Sequence, residues 1–296
     1  MTVALIGATG TIGPHVVDAL LARQVERRVL TRDAARARTV LAPGAEIRQT
    51  DITEDEQVAA GCAGARSVLL LTEHSRDMAD LQLRIMRALR RLDITIVKIS
   101  GTSSAIRPDG PYACRQHWEV ETILRESGAR HVILRPNAFM QTIIGQILLP
   151  SVRETGTIPN AIAESGISFV DARDVGECAA TALTTDEYTG QTLVLTGSRP
   201  VTYAELAALI SNRVGRPVDV RDITPADIRQ TLVARGTPLW EAEHFEEMYA
   251  LFRRGESEFV SGDVERITGK APRNVEAYIG ETVRDEVGAG VGEAAG

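Results

Sequence analysis

The stretch ALIGATGTIGPHVV, residues 4–17, joins an apolar run to a helical pattern through a glycine-rich turn. Gly7, Gly10 and Gly13 follow one another at intervals of three. The first glycine permits a tight turn, the second lets backbone N–H groups approach a pyrophosphate, and the third lets the helix pack closely on the strand. The helix N-terminus adds partial positive charge. We predict a dinucleotide-binding turn here, the alternative being an ordinary strand–helix turn.

Short apolar runs alternate with helical patterns through the first half of the chain. The runs are rich in Val, Ile and Leu and lack polar alternation, which is typical of a parallel sheet covered on both faces. The predicted strands are Val3–Ile6, Arg28–Leu30, Glu46–Gln49, Ser67–Leu71, Thr95–Ile99 and His131–Leu134. Helical stretches are predicted near 12–23, 54–60, 76–91 and 113–127. The predicted fold class is therefore α/β, with a doubly wound parallel (Rossmann) sheet.

The rhythm of the sequence changes after about residue 150. We predict that residues 1–150 form an NAD(P)-binding domain, to which the chain returns around 167–196. Residues 151–166 and 197–285 are predicted to form a second, smaller, mainly helical substrate lobe. Residues 286–296 offer almost nothing to bury and are predicted to be disordered.

Composition and charge exclude several classes of protein. The chain has 296 residues, 44% hydrophobic and 25% charged, so it can bury a large core. A net charge of −7 argues against nucleic-acid and anionic-membrane partners. The three cysteines form no C-x-x-C pair, which favours a reducing cytoplasm and predicts no metal site. The first predicted strand begins near residue 2 and leaves no room for a signal peptide, and no window matches a membrane span. We expect a cytoplasmic protein with a small-molecule partner, and its oligomeric state stays open.

The end of the second strand reads LTRD, residues 30–33. NAD-binding proteins place an acidic residue there to hold the ribose hydroxyl, whereas this chain has Arg32, and Asp33 is predicted to cap the next helix. Arg32, with Arg36 one turn further, can pair with a 2′-phosphate. NADP(H) is therefore predicted in preference to NAD(H). Asp51, after the third strand, either binds the adenine edge or caps a turn.

The chain resembles the NmrA-like branch of the atypical short-chain dehydrogenases/reductases over nearly its whole length. The resemblance is carried by the stretches GATGTIG, LTRD, VKISG, HWEVETILRESGARHVILRPNAFMQ, FVDARDVGECAATAL and DVERITGKAP. The branch includes type-2 quinone oxidoreductases, triphenylmethane-dye reductases, iminium reductases and regulatory proteins that bind cofactor without known catalysis. The resemblance implies that Pro136 and Asn137 touch the nicotinamide and that Phe139 packs on it or on the acceptor.

The superfamily's main body uses a Tyr-x-x-x-Lys pair, with a serine after the fifth strand, to exchange a proton with a carbonyl oxygen. Ser100 is the serine candidate here, but Tyr112 is followed four residues later by Gln116. The positions that correspond best, as in other members of the branch, carry His117 and Glu121, so the dyad is absent. His117 either donates a proton near neutrality, with Glu121 orienting it, or forms an exposed helix pair of little consequence.

Further residues complete the predicted sites. Tyr112 either stacks on a substrate or anchors the loop before it, and Lys98, inside a strand pattern, receives no role. The predicted cofactor-binding residues are Gly7, Thr9, Gly10, Thr11, Ile12, Gly13, Arg32, Asp51, Ile52, Leu71, Thr72, Ser100, Gly101, Pro136, Asn137 and Phe139. The predicted substrate-pocket residues are Tyr112, His117, Phe139, Met140 and Trp240.

The missing dyad restricts the chemistry that we expect. Reduction of a simple ketone develops an alkoxide, which needs a placed proton donor. Hydride addition to a quinone, enone, iminium ion or dye cation gives a stabilised or neutral product, so positioning alone supplies much of the acceleration. The sequence predicts an NAD(P)H-dependent reductase of a small or polycyclic conjugated acceptor, with Ser100, Tyr112 and His117 as catalytic candidates. The alternative is a non-catalytic NADP(H)-binding redox sensor that acts through a protein partner.

Overall fold

The computed structural model describes residues 1–288, with side chains as far as residue 283. The strands, in chain order, are β1 (Thr2–Ile6), β2 (Glu26–Thr31), β3 (Glu46–Gln49), β4 (Ser67–Leu70), β5 (Thr95–Ile99), β6 (His131–Pro136), β7 (Thr157–Asn160), β8 (Gly166–Ile167), β9 (Thr192–Leu195), β10 (Val201–Thr202) and β11 (Asp219–Asp222). The helices are α1 (Gly13–Ala22), α2 (Ala34–Val40), α3 (Asp55–Cys62), α4 (Met78–Leu89), α5 (Tyr112–Glu126), α6 (Leu149–Thr155), α7 (Ala172–Thr184), α8 (Tyr203–Val214), α9 (Pro225–Ala234), α10 (Leu239–Arg253), α11 (Asp263–Thr268) and α12 (Val275–Gly288). A π-helical segment, Met140–Leu148, precedes α6.

The main sheet has seven strands in the order β3-β2-β1-β4-β5-β6-β9, and its neighbouring strands are parallel. The chain adds strands outward from β1 on one side and outward from β4 on the other. The strand order therefore reverses between β1 and β4, where the carboxyl ends of the strands leave a crevice for a ligand. The predicted doubly wound parallel sheet is confirmed.

Both faces of this sheet are covered by helices. Ala4 and Ile6 of β1 belong to one apolar cluster with residues of α3, α4 and α5. The intervening residues of β1 point to the opposite face, because successive side chains of a strand alternate. On that face the hydroxyl of Ser67 donates a 2.6 Å hydrogen bond to Leu183 of α7. Two-sided burial explains why the strand sequences lack polar alternation.

The described contacts divide the chain into two compact units. The first comprises Met1–Pro136, Ala172–Leu195 and Asp263–Lys270; the second comprises Asn137–Asp171, Thr196–Gly262 and the described residues from Ala271 onward. The first unit ends where β6 ends and not at the expected residue 150, because the π-helical segment that follows packs on α6 of the second unit. The chain returns to the first unit with α7 and β9, and α11 joins them.

The second unit combines two small sheets with helices. Strand β7 pairs in parallel with β11, and β8 pairs antiparallel with β10. Helix α8 begins with a capping box in which Thr202 and Glu205 each bond to the other's backbone N–H. Helix α9 begins with the same arrangement of Thr224 and Asp227. These local bonds explain where two of the helices in this unit begin.

Three further observations bear on the predictions. Within residues 1–288, no helix combines the length and apolar character needed to cross a bilayer. The three cysteines, Cys62, Cys114 and Cys178, are buried thiols. Helix α12 continues to Gly288, so residues 286–288 are helical where disorder is predicted, because the helix that packs on α8 runs on through them. The remainder of the predicted tail lies outside the described residues.

Candidate functional site

The glycine turn after β1 is sterically restricted at two positions. Gly7 has a φ of 84°, a left-handed conformation that glycine adopts at no steric cost. A Cβ at Gly7 would lie 2.1 Å from the carbonyl oxygen of Leu71, the residue after β4. A Cβ at Gly13 would lie 2.2 Å from the carbonyl oxygen of Ala8. The third glycine is therefore required by the turn itself, and not by the helix–strand packing that the sequence suggests.

Gly10 and the start of α1 leave room for a ligand. A Cβ at Gly10 would meet nothing closer than the Gly7 carbonyl oxygen at 3.9 Å, and Gly10 is exposed. Within the described residues, α1 has no side-chain N-cap and no acidic residue in its first turn. Its N–H groups and partial positive charge are thus available to a phosphate. The turn fits a pyrophosphate; Thr9 and Thr11 lie on its accessible side and Ile12 is buried.

Arg32 lies one residue past β2 and keeps 71% of its side chain exposed. Its guanidinium Nη2 is 4.0 Å from a carboxylate oxygen of Glu73, which follows β4. Asp33 accepts a 2.8 Å hydrogen bond from the backbone N–H of Arg36, which confirms the predicted helix cap. Arg32 therefore presents its guanidinium to solvent at the end of β2. Its ion pair with Glu73 is exposed and, at 4.0 Å, weak.

Asp51 lies exposed in the turn after β3. One of its carboxylate oxygens accepts hydrogen bonds from the N–H and the hydroxyl of Thr53, at 2.9 and 2.7 Å. These bonds hold the pKa of Asp51 below its ordinary value. The structure thus gives Asp51 the turn-capping role, which was one of its two predicted roles. Ile52, the next residue, is half-buried.

Ser100 follows β5 and is buried against α5. Its hydroxyl donates a 2.6 Å hydrogen bond to Oε1 of Glu121, and its backbone N–H bonds to the carbonyl oxygen of Leu134 on β6. A serine hydroxyl has a single proton to donate. In this geometry the proton goes to Glu121, so Ser100 can offer a substrate only its lone pairs. Gly101, the next residue, is half-buried.

Glu121 lies on α5 with its side chain fully buried. Arg135 of β6 binds both of its carboxylate oxygens, at 3.1 and 2.6 Å, and Arg125 binds one of them at 2.6 Å. Burial by itself raises the pKa of Glu121, but the bonds from Arg135 and Ser100 outweigh it and hold that pKa below its ordinary value. The interpretation of Glu121 as an exposed pair with His117 is wrong, because its bonds tie α5 to the sheet.

The partner of His117 at Nδ1 is Lys98, a residue for which the sequence pattern predicts no role. Lys98 Nζ lies 3.0 Å from Nδ1 of the imidazole and donates a 2.8 Å hydrogen bond to Oε1 of Gln82 on α4. Gln82 in turn donates to the hydroxyl of Thr72, a predicted cofactor residue. A signal was present in the sequence, since a lysine inside the apolar run TIVKI, two residues before Ser100, must share the face of that serine.

Tyr112 is the first residue of α5. Its hydroxyl donates a 3.0 Å hydrogen bond to the backbone carbonyl of Arg76, in the segment between β4 and α4. The guanidinium of Arg115 lies over its ring, 5.6 Å from the centroid. This geometry favours the loop-anchor interpretation of Tyr112 over the stacking one.

The residues after β6 belong to the second unit and are held within it. The side-chain amide of Asn137 is buried, donates to the carbonyl oxygens of Ser168 and Ser257, and accepts from the hydroxyl of Ser257. Phe139 is half-buried and its backbone bridges to Val170. Asn137 therefore holds the segments around Ser168 and Ser257 together within the second unit, a structural role that no motif in the sequence indicates.

The remaining predicted pocket residues are dispersed between the two units. Pro136 ends β6 in the first unit and is buried. Met140 is buried at the start of the π-helical segment, and Trp240 is half-buried near the start of α10. Hydrogen bonds join Thr72, Gln82, Lys98 and His117 in the first unit and join Ser100 to Glu121, whereas the pocket as a whole stays a prediction.

The fold and the glycine turn define a Rossmann-type dinucleotide-binding protein. A model of the NmrA-like family matches residues 1–279, and the chain belongs to that family. The chain is 29% identical over 272 residues to an NAD(P)H azoreductase of Xenophilus azovorans, an alignment that covers 92% of this chain and 94% of the azoreductase. The family resemblance predicted from the motifs is confirmed.

Solved structures that share this fold include two complexes with NADPH or NADP(H). The NADPH-dependent quinone oxidoreductase of Escherichia coli complexed with NADPH matches with a TM-score of 0.85 at 21% identity, covering 96% of this chain and 99% of that chain. The triphenylmethane reductase of Citrobacter sp. complexed with NADP(H) matches with a TM-score of 0.82 at 23% identity, with the same coverage of 96% and 99%.

Proposed function

We propose that this NAD(P)H-dependent oxidoreductase transfers hydride from NADPH to a conjugated electrophile, such as a quinone, enone, iminium ion, azo compound or dye cation. The relatives described above are named for azo, quinone and triphenylmethane substrates. These acceptors share a delocalised system that stabilises the product of hydride addition. A site that positions the acceptor therefore supplies much of the acceleration by itself.

The hydrogen bond from Ser100 to Glu121 is the observation that carries this proposal. Ketone reduction needs a donor aimed at a developing alkoxide, and this 2.6 Å bond takes up the proton of Ser100, the serine that directly follows β5. Tyr112 donates its own proton to the Arg76 carbonyl. The remaining candidate donor is His117, whose ordinary pKa suits proton transfer near neutrality. Such a site offers one imidazole donor in place of the Tyr–Lys pair, and it fits acceptors whose hydride adducts are stabilised by conjugation.

The cofactor in this proposal is NADPH, which supplies the hydride. Gly10 and the start of α1 would hold its pyrophosphate, and Arg32 with Arg36 would hold its 2′-phosphate. Both arginine side chains are exposed, and the end of β2 has no acidic residue to favour a ribose hydroxyl. A guanidinium binds a phosphate in two parallel hydrogen bonds, which favours NADP(H) over NAD(H).

The acceptor would lie beside the nicotinamide, and Tyr112, His117, Phe139, Met140 and Trp240 stay the candidate residues for contact with it. Because the Asn137 amide is occupied inside the second unit, we assign the contact with the nicotinamide to the backbone of residues 136–139. We also place the protein in a reducing cytoplasm, a proposal that three buried thiols support.

The proposal is tested by NADPH oxidation against a panel of quinones, azo compounds, triphenylmethane dyes and cyclic iminium ions, with simple ketones as the control. Selective oxidation by one electrophile class supports the reductase and identifies its acceptor. Equal rates with simple ketones would contradict the assignment. Tight NADPH binding without oxidation by any member of the panel would favour the redox-sensor alternative.

A further inference from the structure

Lys98 is one of the two lysines in the chain, and its side chain is completely buried. Its Nζ contacts Oε1 of Gln82 at 2.8 Å, the carbonyl oxygen of Ile99 at 3.3 Å and Nδ1 of His117 at 3.0 Å. An ammonium group carries three N–H donors, and these three acceptors match them. Burying such a group is costly, so this arrangement fixes a cation, or its neutral amine, directly against the imidazole.

The charged groups that face Lys98 come from α5 and β6. Burial lowers the pKa of Lys98 to about 7, with the carboxylate of Glu121 raising it and the guanidinium of Arg135 lowering it. Glu121 and Arg135 are hydrogen-bonded to each other, and their opposite charges shift the pKa of Lys98 in opposite directions. The neighbour from α4, Gln82, is uncharged. The protonation of Lys98 is therefore balanced near neutrality, in the range where an imidazole also titrates.

The orientation of His117 assigns different surroundings to its two ring nitrogens. Nδ1 faces Lys98, and the Cδ2 atom lies 3.6 Å from the position of a Cβ built at Gly101. Nε2 is bonded to Cδ2 within the ring, so this edge lies beside the residues that follow β5. In doubly wound folds the carboxyl ends of the strands are where ligands bind.

We propose that Lys98 holds the proton that His117 delivers to a quinone, enone or azo acceptor, whose hydride adduct is an anion, so that a strand lysine and a helix histidine act together as one proton donor. The inference rests on the proposed function for the identity of the acceptor. Its basis is the contact between Nζ and Nδ1, the burial of the lysine and the position of the imidazole at the carboxyl end of β5.

The proton transfer balances in charge and in atoms. At the start Lys98 is an ammonium ion that donates to Nδ1, and the neutral imidazole carries its proton on Nε2. As the acceptor gains hydride and becomes more basic, the Nε2–H bond breaks and the proton passes to the acceptor. One N–H bond of Lys98 breaks at the same time, and that proton passes to Nδ1. Lys98 is left as a neutral amine, the imidazole is neutral in its other tautomer, and solvent returns one proton to the pair.

Lys98 and His117 would supply the proton that the Tyr-x-x-x-Lys dyad supplies in the main body of the superfamily. In the dyad the lysine lies one turn after the tyrosine on the same helix, whereas here that helix position carries Glu121. The cation comes from β5, two residues before Ser100, and reaches the residue in the tyrosine's place from the sheet side. A neutral imidazole that donated its proton alone would become an imidazolate anion. The ammonium of Lys98 prevents this because it protonates Nδ1 as Nε2 loses its proton.

The first test is NMR of the free protein and needs neither cofactor nor acceptor. Lysine labelled with ¹³C at Cε gives two lysine signals in this chain, which Lys270→Met assigns, and His117→Asn assigns the imidazole of His117. Groups in contact titrate as one system, so we expect the signals of Lys98 and His117 to share their inflection points, with one of them near pH 7. Separate midpoints, with Lys98 remaining charged above pH 9, would overturn the proposal.

The second test replaces the lysine with an uncharged side chain of similar length. In Lys98→Met the imidazole loses an adjacent positive charge, so the pKa of His117 should rise. The turnover of the best quinone, enone or azo acceptor at pH 7.5 should fall at least about tenfold, with the KM for that acceptor and the Kd for NADPH within about threefold. Lys270→Met, which removes the other and largely exposed lysine, is the matched control and should leave turnover within about twofold.

The two tests separate this inference from the proposed function. If no acceptor of the panel is reduced but Lys98 and His117 share their inflection points, the proposed reductase activity is wrong and the coupled proton pair still stands. If Lys98→Met folds and reduces the acceptor with an unchanged pH profile, the proposed proton pair is wrong and the proposed reductase activity still stands. If Lys98→Met does not fold, the titration of the unaltered protein still decides the question.

Discussion

The hydroxyl oxygen of Ser100 lies 2.6 Å from Oε1 of Glu121, and this bond joins the end of β5 to the middle of α5. Arg135 adds a second link from β6 to the same carboxylate. Glu121 therefore fixes the helix that carries His117 at a defined height over the sheet. Ser100 belongs to that frame, since its proton is donated to Glu121 and is not directed at a substrate.

We predict that Glu121→Gln destabilises the protein by about 3 kcal/mol at pH 7, because it leaves the guanidinium of Arg135, 16% exposed, without its counter-charge. Urea denaturation followed by circular dichroism measures the effect. Glu119→Gln, an exposed position on the same helix, is the control and should change stability by less than about 0.5 kcal/mol.

We also predict how the loss of stability in Glu121→Gln depends on pH. The pKa of Glu121 is lowered in the folded protein, so its contribution is complete above the pKa of an unfolded glutamate, about 4.3. That contribution is lost as pH falls through the folded value. The stability difference between the unaltered protein and Glu121→Gln should thus be constant above about pH 5 and shrink below about pH 4. A difference of equal size at pH 7 and in acid would contradict the assigned ionisation.

The two glycines of the turn should respond differently to alanine. Gly7→Ala forces a Cβ to 2.1 Å from the Leu71 carbonyl oxygen at a φ of 84°, so we expect severe destabilisation. Gly10→Ala adds a methyl group to open space and should change the melting temperature little. Because that methyl group points to where a pyrophosphate would approach, the Kd for NADPH should rise at least about tenfold.

Calorimetric melting and fluorescence titration with NADPH measure these two effects. A Gly10→Ala variant that melts normally and binds NADPH with unchanged affinity would place the pyrophosphate elsewhere. Normal stability of Gly7→Ala would mean that the turn does not have the described conformation.

Arg32 and Glu73 should change the choice of cofactor in opposite directions. Arg32→Glu replaces a phosphate donor with a repelling charge, so the Kd for NADPH should rise roughly 30-fold while that for NADH changes by a few-fold. Glu73→Gln removes a carboxylate 4.0 Å from the guanidinium and should tighten NADPH binding by about twofold, more at low salt. Isothermal titration at two salt concentrations measures both, and equal losses for the two cofactors in Arg32→Glu would contradict the assignment.

The fold could be predicted closely from local pattern. The run before Gly7, the spacing of the three glycines and the repeated Val- and Ile-rich strands are local signals, and each strand of the first half was predicted within a few residues. The residue at which the first unit ends was harder to predict, because the segment from Met140 has an apolar composition that would suit a helix of either unit. Its place depends on packing against α6, which no motif records.

The site was less predictable because its contacts are long-range. The position of His117 followed from the family resemblance, but its partner was expected one turn away on the same helix and lies instead on β5. Lys98 reaches the imidazole across 19 residues of sequence, and Asn137 reaches Ser257 across 120. Periodicity can place a side chain on a face, whereas these bonds depend on which elements that face meets.

His117 provides the most direct test of the chemistry. His117→Ala should lower turnover on a quinone by about 100-fold, because a placed general acid contributes at least that factor. The affinity for NADPH should stay within about threefold, since the glycine turn and Arg32 are untouched. Glu119→Ala, on the exposed side of the same helix, is the matched control and should preserve turnover. If His117→Ala keeps full turnover from pH 6 to 9, the imidazole has no part in proton transfer, and hydride addition proceeds by positioning alone.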